Sequence, residues 1–169
     1  ARSLIDLLER NPETEDFVLG YPNRDALAEE SFAPEDLTTV PLLLQFDQRW
    51  GYEKYGSDYL AITGCGPTCL AMAGYALTGE NRFDPAQVAV FAEENGYYVE
   101  GSGSSWTLIS EGSGKLGLTA TELPLDENRI KHALENGNPV ILAMGPGDFT
   151  TTGHYIVLTE VVEGKFAVN

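Results

Sequence analysis

The sequence predicts one domain of the α+β class, in which helices pack against a mostly antiparallel sheet. Two observations predict this class. Apolar residues recur at helical spacing through most of the chain, and runs rich in β-forming residues follow only after Asn138. Such segregation is typical of α+β domains. The 169 residues match the size of one domain, and 43% of them are apolar, which is enough for a buried core.

The first forty residues are predicted to form an arm that packs on the main domain. The stretch SLIDLLER places three leucines on one helical face, and the proline of NPETED ends the pattern, so we predict a short amphipathic helix. Residues 17–39 mix aromatic, proline and acidic residues without a period, which indicates an irregular segment. We therefore divide the chain into an arm over residues 1–40 and a domain over residues 41–169.

The main domain begins with PLLLQF, residues 41–46, which is predicted to be a short buried strand or an extended entry segment. A buried helix follows, with Pro67 in its first turn and Gly79 at its end. Three more helices are predicted in FDPAQVAVFAEENG, SSWTLISEG and DENRIKHALENG. Three strands are predicted in PVILAM, HYIVLTEVV and KFAVN, and a turn around Gly164 joins the last two.

The charge of the chain limits the partners that it can take. It has 26 Asp and Glu residues against 10 Lys and Arg residues, so the phosphate backbone of a nucleic acid would be repelled. We predict no nucleic-acid partner. No run of about 18 apolar residues is present, so no membrane span is predicted. Residues 1–30 lack the basic and apolar regions of a secretory signal.

Both cysteines lie in the stretch GCGPTCLAM, and we predict different roles for them. A disulfide between them within one helix would be strained. Cys65 precedes the predicted helix, whose positive N-terminal end would lower the pKa of its thiol, while Gly64 and Gly66 leave room for a substrate carbonyl. Cys69 lies one turn further on, on the packed face, where a thiol stays protonated and inert.

A cysteine nucleophile needs a base, and the sequence has two histidines. His132 lies within a predicted amphipathic helix, which favours a surface position. His154 follows the loop GPGDFTTTG and begins the strand HYIVL, so its ring would stand at the end of a sheet, and we predict it as the base. The oxyanion of a tetrahedral intermediate needs donors, for which we predict the backbone N–H of Cys65 and the amide of Gln45. A core glutamine satisfied by backbone groups is the alternative for Gln45.

Three signatures, LQFDQRW, GCGPTCLAM and GPGDFTTTGHYIVL, resemble in this order the C39-like peptidase family of bacterial papain-like cysteine proteins. The stretches NGYY, GSGSSW and GNPVILAM also look like this family, and the likeness extends from about Pro41 to Asn169. The resemblance implies a papain-like fold. It also implies that Cys65 is the nucleophile, His154 the general base and acid, and Gln45 the side-chain half of the oxyanion hole.

By this resemblance we expect a stand-alone peptidase that acts on a peptide or protein, outside the cell or at the surface of a Gram-positive-type bacterium. We predict no cofactor and no metal. The third catalytic residue of the family is an acidic residue that would follow Asn169, and Asn169 itself is an alternative that could orient the imidazole. Four aromatic residues either line a cleft or belong to the core: Trp50, Tyr97, Tyr98 and Trp106.

Two other functions stay open from the sequence. A catalytically silent module would keep the cleft for binding a peptide or the cell wall, and its Cys65 thiol would have an ordinary pKa. A metal site would use both cysteines and both histidines, although the CxxxC spacing differs from the usual two-residue knuckle.

Overall fold

The computed structural model of the chain describes residues 2–27, 39–148, 150–151 and 153–169. Its helices and small antiparallel sheets form an α+β fold, as predicted. The described part of the arm holds short helical segments, of which the second and fourth are 3₁₀ turns: α1 (Arg2–Arg10), Pro12–Thr14, α2 (Glu15–Gly20), Tyr21–Asn23 and α3 (Arg24–Leu27).

The predicted irregular character of the arm is wrong for residues 17–27, which are helical. Pro22 lies in the first turn of its 3₁₀ segment, where a residue without an N–H costs no helical hydrogen bond. Proline there starts a helical turn, so its presence does not indicate irregular backbone. The remainder of that prediction, over residues 28–38, lies outside the described residues.

The main domain places two small hairpins and a set of helices before its sheet. In chain order these elements are β1 (Lys54–Tyr55), β2 (Asp58–Tyr59), α4 (Leu60–Thr63), α5 (Cys65–Thr78), α6 (Pro85–Glu94), β3 (Tyr98–Val99), β4 (Gly103–Ser104), a π-helical turn (Leu108–Gly112), α7 (Ser113–Lys115) and α8 (Glu127–Glu135). Helix α5 begins at Cys65, two residues before the predicted start. It ends at Gly79, whose φ of 69° is the left-handed conformation that glycine adopts without strain.

Three antiparallel strands form the main sheet, in the order β5 (Val140–Met144), β6 (His154–Val162) and β7 (Lys165–Val168). Successive side chains of β6 face opposite sides of this sheet. Tyr155 and Val157 pack in the cluster that contains α5, whereas Ile156 and Leu158 pack in the cluster that contains α8. The sheet therefore separates two apolar layers. The predicted entry segment, residues 41–46, joins no strand: residues 41–44 lie outside any helix or strand, and residues 45–46 belong to a turn.

The arm packs on the main domain through an aromatic contact. The rings of Phe17 and Tyr52 stack with centroids 4.2 Å apart, and the Tyr52 hydroxyl donates to the Phe17 carbonyl oxygen at 2.6 Å. Leu4 of α1 and Ala61 of α4 complete the buried cluster. The arm thus supports α4, the turn that leads directly into α5. No helix in the described part of the chain has the length and apolar composition that crossing a bilayer requires.

Candidate active site

Cys65 is held at the N-terminal end of α5 by a tight junction with α4. The Gly64 N–H donates to the Leu60 carbonyl at 2.8 Å and ends α4. The Gly64 carbonyl accepts the Thr68 N–H at 3.0 Å and the Thr68 hydroxyl at 2.8 Å, which starts α5. A side chain at Gly64 would clash with Leu60. The junction therefore needs glycine, and it places the sulfur among the first N–H groups of a helix.

The surroundings of the half-buried Cys65 thiol act on its ionisation in two opposed ways. Burial raises the pKa of this thiol above its ordinary value and is the larger effect. The backbone N–H groups of Tyr155, Gly66 and Cys65 lie near the sulfur and lower the pKa. The lowered pKa expected from the helix end is therefore wrong for this state of the protein. At neutral pH the sulfur carries its proton.

The backbone of strand β6 passes close to the Cys65 sulfur at Tyr155. The Val157 N–H donates to the Asn169 carbonyl at 3.1 Å, so it points from β6 towards β7. Every second N–H of a strand points to the same side, so the Tyr155 N–H, two residues earlier, points to this side as well. Its position lies past Asn169, where β7 no longer pairs with β6. That N–H reaches the Cys65 sulfur. The sulfur thus lies beside the edge of β6, next to the backbone of His154.

The His154 side chain is half-buried, and burial lowers the pKa of its imidazole below the ordinary value of 6.5. The ring is therefore neutral at neutral pH, which is the form that can accept a proton from a thiol. The Asn169 amide nitrogen donates to the carbonyls of Val40 at 3.3 Å and Pro41 at 3.1 Å. Among the described residues it makes no hydrogen bond to His154, so the structure does not support Asn169 as the residue that orients the imidazole.

Gln45 is fixed to the same junction that holds Cys65. Its Nε2 donates to the Leu60 carbonyl at 2.9 Å, and this carbonyl also accepts the Gly64 N–H. An amide nitrogen carries two protons, so one remains for another acceptor. Gln45 is thus satisfied by a backbone group, which is the alternative given for it above. Its role in the oxyanion hole stays a prediction.

Ser104 of β4 joins the site at the start of α5, although no sequence pattern indicated it by itself. Its hydroxyl hydrogen-bonds to the Tyr55 hydroxyl at 2.7 Å, and its carbonyl accepts the Tyr155 hydroxyl at 3.1 Å. Burial raises the pKa of Tyr55 to about 12, so this phenol stays protonated. A side chain at Gly66 would clash with the Ser104 side chain. The close approach of Ser104 accounts for this glycine without an incoming substrate.

The four aromatic residues have different environments. Trp50 and Tyr97 are core residues, 1% and 4% exposed. Tyr98 is half-buried. Trp106 is 38% exposed and stacks on Tyr155, with ring centroids 5.9 Å apart and an interplanar angle of 16°. Only Trp106 therefore combines an open surface with a ring contact to a neighbour of Cys65.

The second cysteine and the second histidine lie away from this chemistry. Cys69 is 3% exposed, and burial raises the pKa of its thiol far above the ordinary value, as predicted for an inert residue. His132 is exposed on α8, next to Asn136. In the part of the chain that the structure describes, no three His, Cys, Asp or Glu side chains are grouped to hold a metal ion. The metal-site alternative has no support from these residues.

Comparison with known proteins identifies one family. The model of the family described as "Peptidase_C39 like family" matches residues 37–169, which contain Gln45, Cys65 and His154. The fold is accordingly papain-like. No curated protein and no solved structure matches the chain.

Proposed function

The chain belongs to the Peptidase_C39 like family, and we propose that it is a cysteine peptidase that hydrolyses a peptide or related amide bond through a thioester at Cys65. One observation carries this proposal. The Tyr155 N–H lies close enough to the Cys65 sulfur to lower the pKa of its thiol, so the backbone of the preceding residue, His154, lies near the thiol. This closeness supports, as a proposal, His154 as the proton acceptor for Cys65.

The protonation states set the order of the proposed steps. A neutral His154 takes the thiol proton as the sulfur attacks the carbonyl carbon, and the tetrahedral intermediate forms. The imidazolium then gives the proton to the amine, the C–N bond breaks, and a thioester remains. Water attacks the thioester with His154 again as the base, which releases the carboxylic acid and restores the thiol.

The proposed oxyanion hole combines backbone and side-chain donors. The Cys65 N–H lies at the start of a helix, where it has no partner one turn earlier in α5. The second Nε2 proton of Gln45 is the other donor, and the Leu60 carbonyl holds that nitrogen in place at 2.9 Å. Donors that are fixed before substrate binds need no reorganisation when the negative charge develops.

Alkylation with iodoacetamide followed by peptide mapping tests the nucleophile. We expect Cys65 to be modified well before Cys69, because the Cys69 side chain is 3% exposed and stays protonated. In the Cys65→Ala variant, hydrolysis of a mixed peptide library should fall to background, while Cys69→Ala keeps its activity. Equal labelling of both thiols, or hydrolysis that survives Cys65→Ala, would exclude the proposed mechanism.

The second candidate is a catalytically silent module that binds a peptide in the same cleft. The raised pKa of Cys65 favours it, because a thiol that stays protonated is a poor nucleophile. The pH dependence of the alkylation rate separates the two functions. In a peptidase, His154→Ala should slow the alkylation of Cys65 at neutral pH. In a binding module, the alkylation rate should vary with pH as it does for a buried thiol without a base. The His154→Ala substitution should then leave this rate unchanged.

A further inference from the structure

Trp106 is connected to the start of α5 through two neighbours. Its indole stacks on the Tyr155 ring at 5.9 Å between centroids, and the backbone N–H of the same Tyr155 lies near the Cys65 sulfur. Trp106 also follows Ser104 by two residues, and Ser104 packs directly on Gly66 at the start of α5. The indole therefore belongs to the group of residues that surrounds the end of the helix from which Cys65 projects.

The indole presents a fixed and accessible surface. The Tyr155 ring stacks on it, while 38% of the residue is exposed. The flanking hydroxyls of Ser105 and Thr107 hydrogen-bond to each other at 2.7 Å, which fixes the backbone on both sides of Trp106. A π-helical turn, Leu108–Gly112, follows, and such turns occur frequently at functional sites. An exposed tryptophan held this firmly is suited to contact a ligand.

The chain as a whole is acidic, with a formal net charge of −16. The charge of Glu93 acts on Tyr55, whose hydroxyl is hydrogen-bonded to Ser104, two residues before Trp106. Glu100, in the turn between β3 and β4, accepts the Tyr98 hydroxyl at 3.1 Å. A chain of this net charge attracts a cationic side chain and repels an anionic one.

Aromatic rings elsewhere in the described chain already bind cations in this way. Lys or Arg groups lie 3.9 to 5.1 Å from the ring centroids of five residues: Tyr21, Trp50, Tyr59, Phe83 and Tyr97. Tryptophan is the aromatic residue that attracts a cation most strongly. The exposed surface of Trp106 can therefore take a cation that comes from outside the chain.

We infer that Trp106 determines substrate specificity by stacking on an Arg or Lys side chain of the peptide, close to the bond that Cys65 cleaves. This inference rests on the proposed function. It adds a substrate class, basic peptides, and assigns to Trp106 a direct contact with substrate. The contact is a cation–π interaction at a partly exposed site, which corresponds to about a two- to fivefold preference.

Three peptides that differ only at one position beside the scissile bond test this preference. The position carries arginine, citrulline, which has nearly the same shape without the charge, or glutamate. We expect kcat/KM to fall in the order arginine, citrulline, glutamate. The arginine-to-citrulline ratio should be about two- to fivefold at low salt and should decrease as salt screens the acidic surface. The Trp106→Ala variant should bring this ratio to about one, whereas Trp106→Phe should keep part of it.

Tryptophan fluorescence gives a readout that does not depend on catalysis. The chain has two tryptophans, and Trp50 is 1% exposed, so acrylamide quenches mainly Trp106. In the Cys65→Ala variant, the arginine peptide should protect Trp106 from quenching more than the citrulline peptide does. The matched control is the same peptide titration in the Cys65→Ala, Trp106→Phe double variant, in which Trp50 is the remaining tryptophan. The peptides should not protect Trp50 from quenching.

The outcomes separate this inference from the proposed function. If none of the peptides is hydrolysed and the whole peptide library is inert, the proposed function fails. If peptides are hydrolysed with equal kcat/KM for arginine and citrulline, only the inference about Trp106 fails. An arginine preference that persists in Trp106→Ala would place the cation elsewhere, and it also overturns the inference.

Discussion

At the scale of single residues, Cys65 shows how burial and hydrogen bonding compete. A helix N-terminus favours a thiolate, and three N–H groups do lower the pKa of the sulfur. Burial acts more strongly in the opposite direction because Tyr155 and Ser104 pack around the start of α5. Cys65 is therefore a thiol at neutral pH and His154 a neutral imidazole, and in the proposed mechanism these two groups form the catalytic pair. Such a pair needs proton transfer during the reaction, as serine hydrolases do.

The pH dependence of kcat/KM follows from the raised pKa of Cys65 and the lowered pKa of His154. Burial lowers the pKa of His154 below 6.5, so the neutral base is present above that lowered pKa and is lost as the pH falls through it. We expect the acid limb of the profile to have its midpoint below pH 6.5. Initial rates between pH 4 and 9 measure it, and His132→Ala should leave the midpoint unchanged, since His132 is exposed on α8. An acid limb centred above pH 6.5 would contradict the neutral-base assignment.

The choice of the reacting groups comes from the sequence and stays a prediction. Cys65 and His154 stand out because a nucleophile needs a base and only two residues of each type are present. Ser104 and the Tyr155 backbone N–H could not be predicted, since their roles depend on strands that meet α5 only after folding. The direction of the Cys65 pKa was wrong for the same reason. Desolvation is a property of the packed molecule and not of the local sequence.

At the scale of elements, the start of α5 is a junction of several elements of the main domain. It meets α4 at Leu60, β4 at Ser104 and β6 at Tyr155. The contact with β4 is so close that residue 66 has no space for a methyl group. This close packing holds the sulfur in place. It also means that the start of α5 cannot shift without breaking contacts with α4, β4 and β6.

Gly66→Ala should destabilise the protein and displace Cys65. The added methyl group would clash with the Ser104 side chain, and overpacking of this kind costs about 1–3 kcal/mol. Urea unfolding measures the loss. Gly114→Ala in α7 is the matched control, because nothing lies within 4 Å of the added carbon, and its stability should be equal or slightly higher. If the Gly66→Ala variant is as stable as the wild type, the Ser104 side chain of β4 does not pack tightly against residue 66.

Caps and strand patterns made several elements predictable. Asp84 accepts the Ala86 and Gln87 N–H groups at 2.8 and 3.2 Å, and Asp126 accepts the Arg129 N–H at 2.9 Å, so both helices begin where the sequence places a cap. The three strands of the main sheet were predicted from their β-branched residues. The helical turns of the arm were missed because segments of three to six residues are too short to show a period.

At the scale of the whole molecule, the arm and the main domain share a buried core. Phe17 is 2% exposed, and its ring is stacked on Tyr52. The adjoining backbone is tied as well, since the Gln48 side chain donates to the Asp16 carbonyl at 2.7 Å. These contacts join the arm to the turn before β1 and to α4. We expect both parts to unfold together.

Phe17→Ala tests this cooperativity. Removal of a buried phenylalanine ring costs about 3–5 kcal/mol, and the loss should appear as an earlier single transition recorded by circular dichroism. Leu19→Ala in the same helix is the matched control. Leu19 is 67% exposed, so its loss should change the stability by less than about 0.5 kcal/mol. If Phe17→Ala unfolds in two separate transitions, or at the wild-type urea concentration, the arm is an independent unit.

The Tyr155 N–H lies close enough to the Cys65 sulfur to lower the pKa of its thiol, so this amide can act as a spectroscopic reporter of the proposed nucleophile. A thiolate accepts a stronger hydrogen bond than a thiol does, so ionisation should shift the amide proton resonance of Tyr155 downfield. Acylation of the sulfur would weaken the bond and shift the signal the other way. One NMR cross-peak can therefore follow the protonation and the covalent state of Cys65 without a chromogenic substrate.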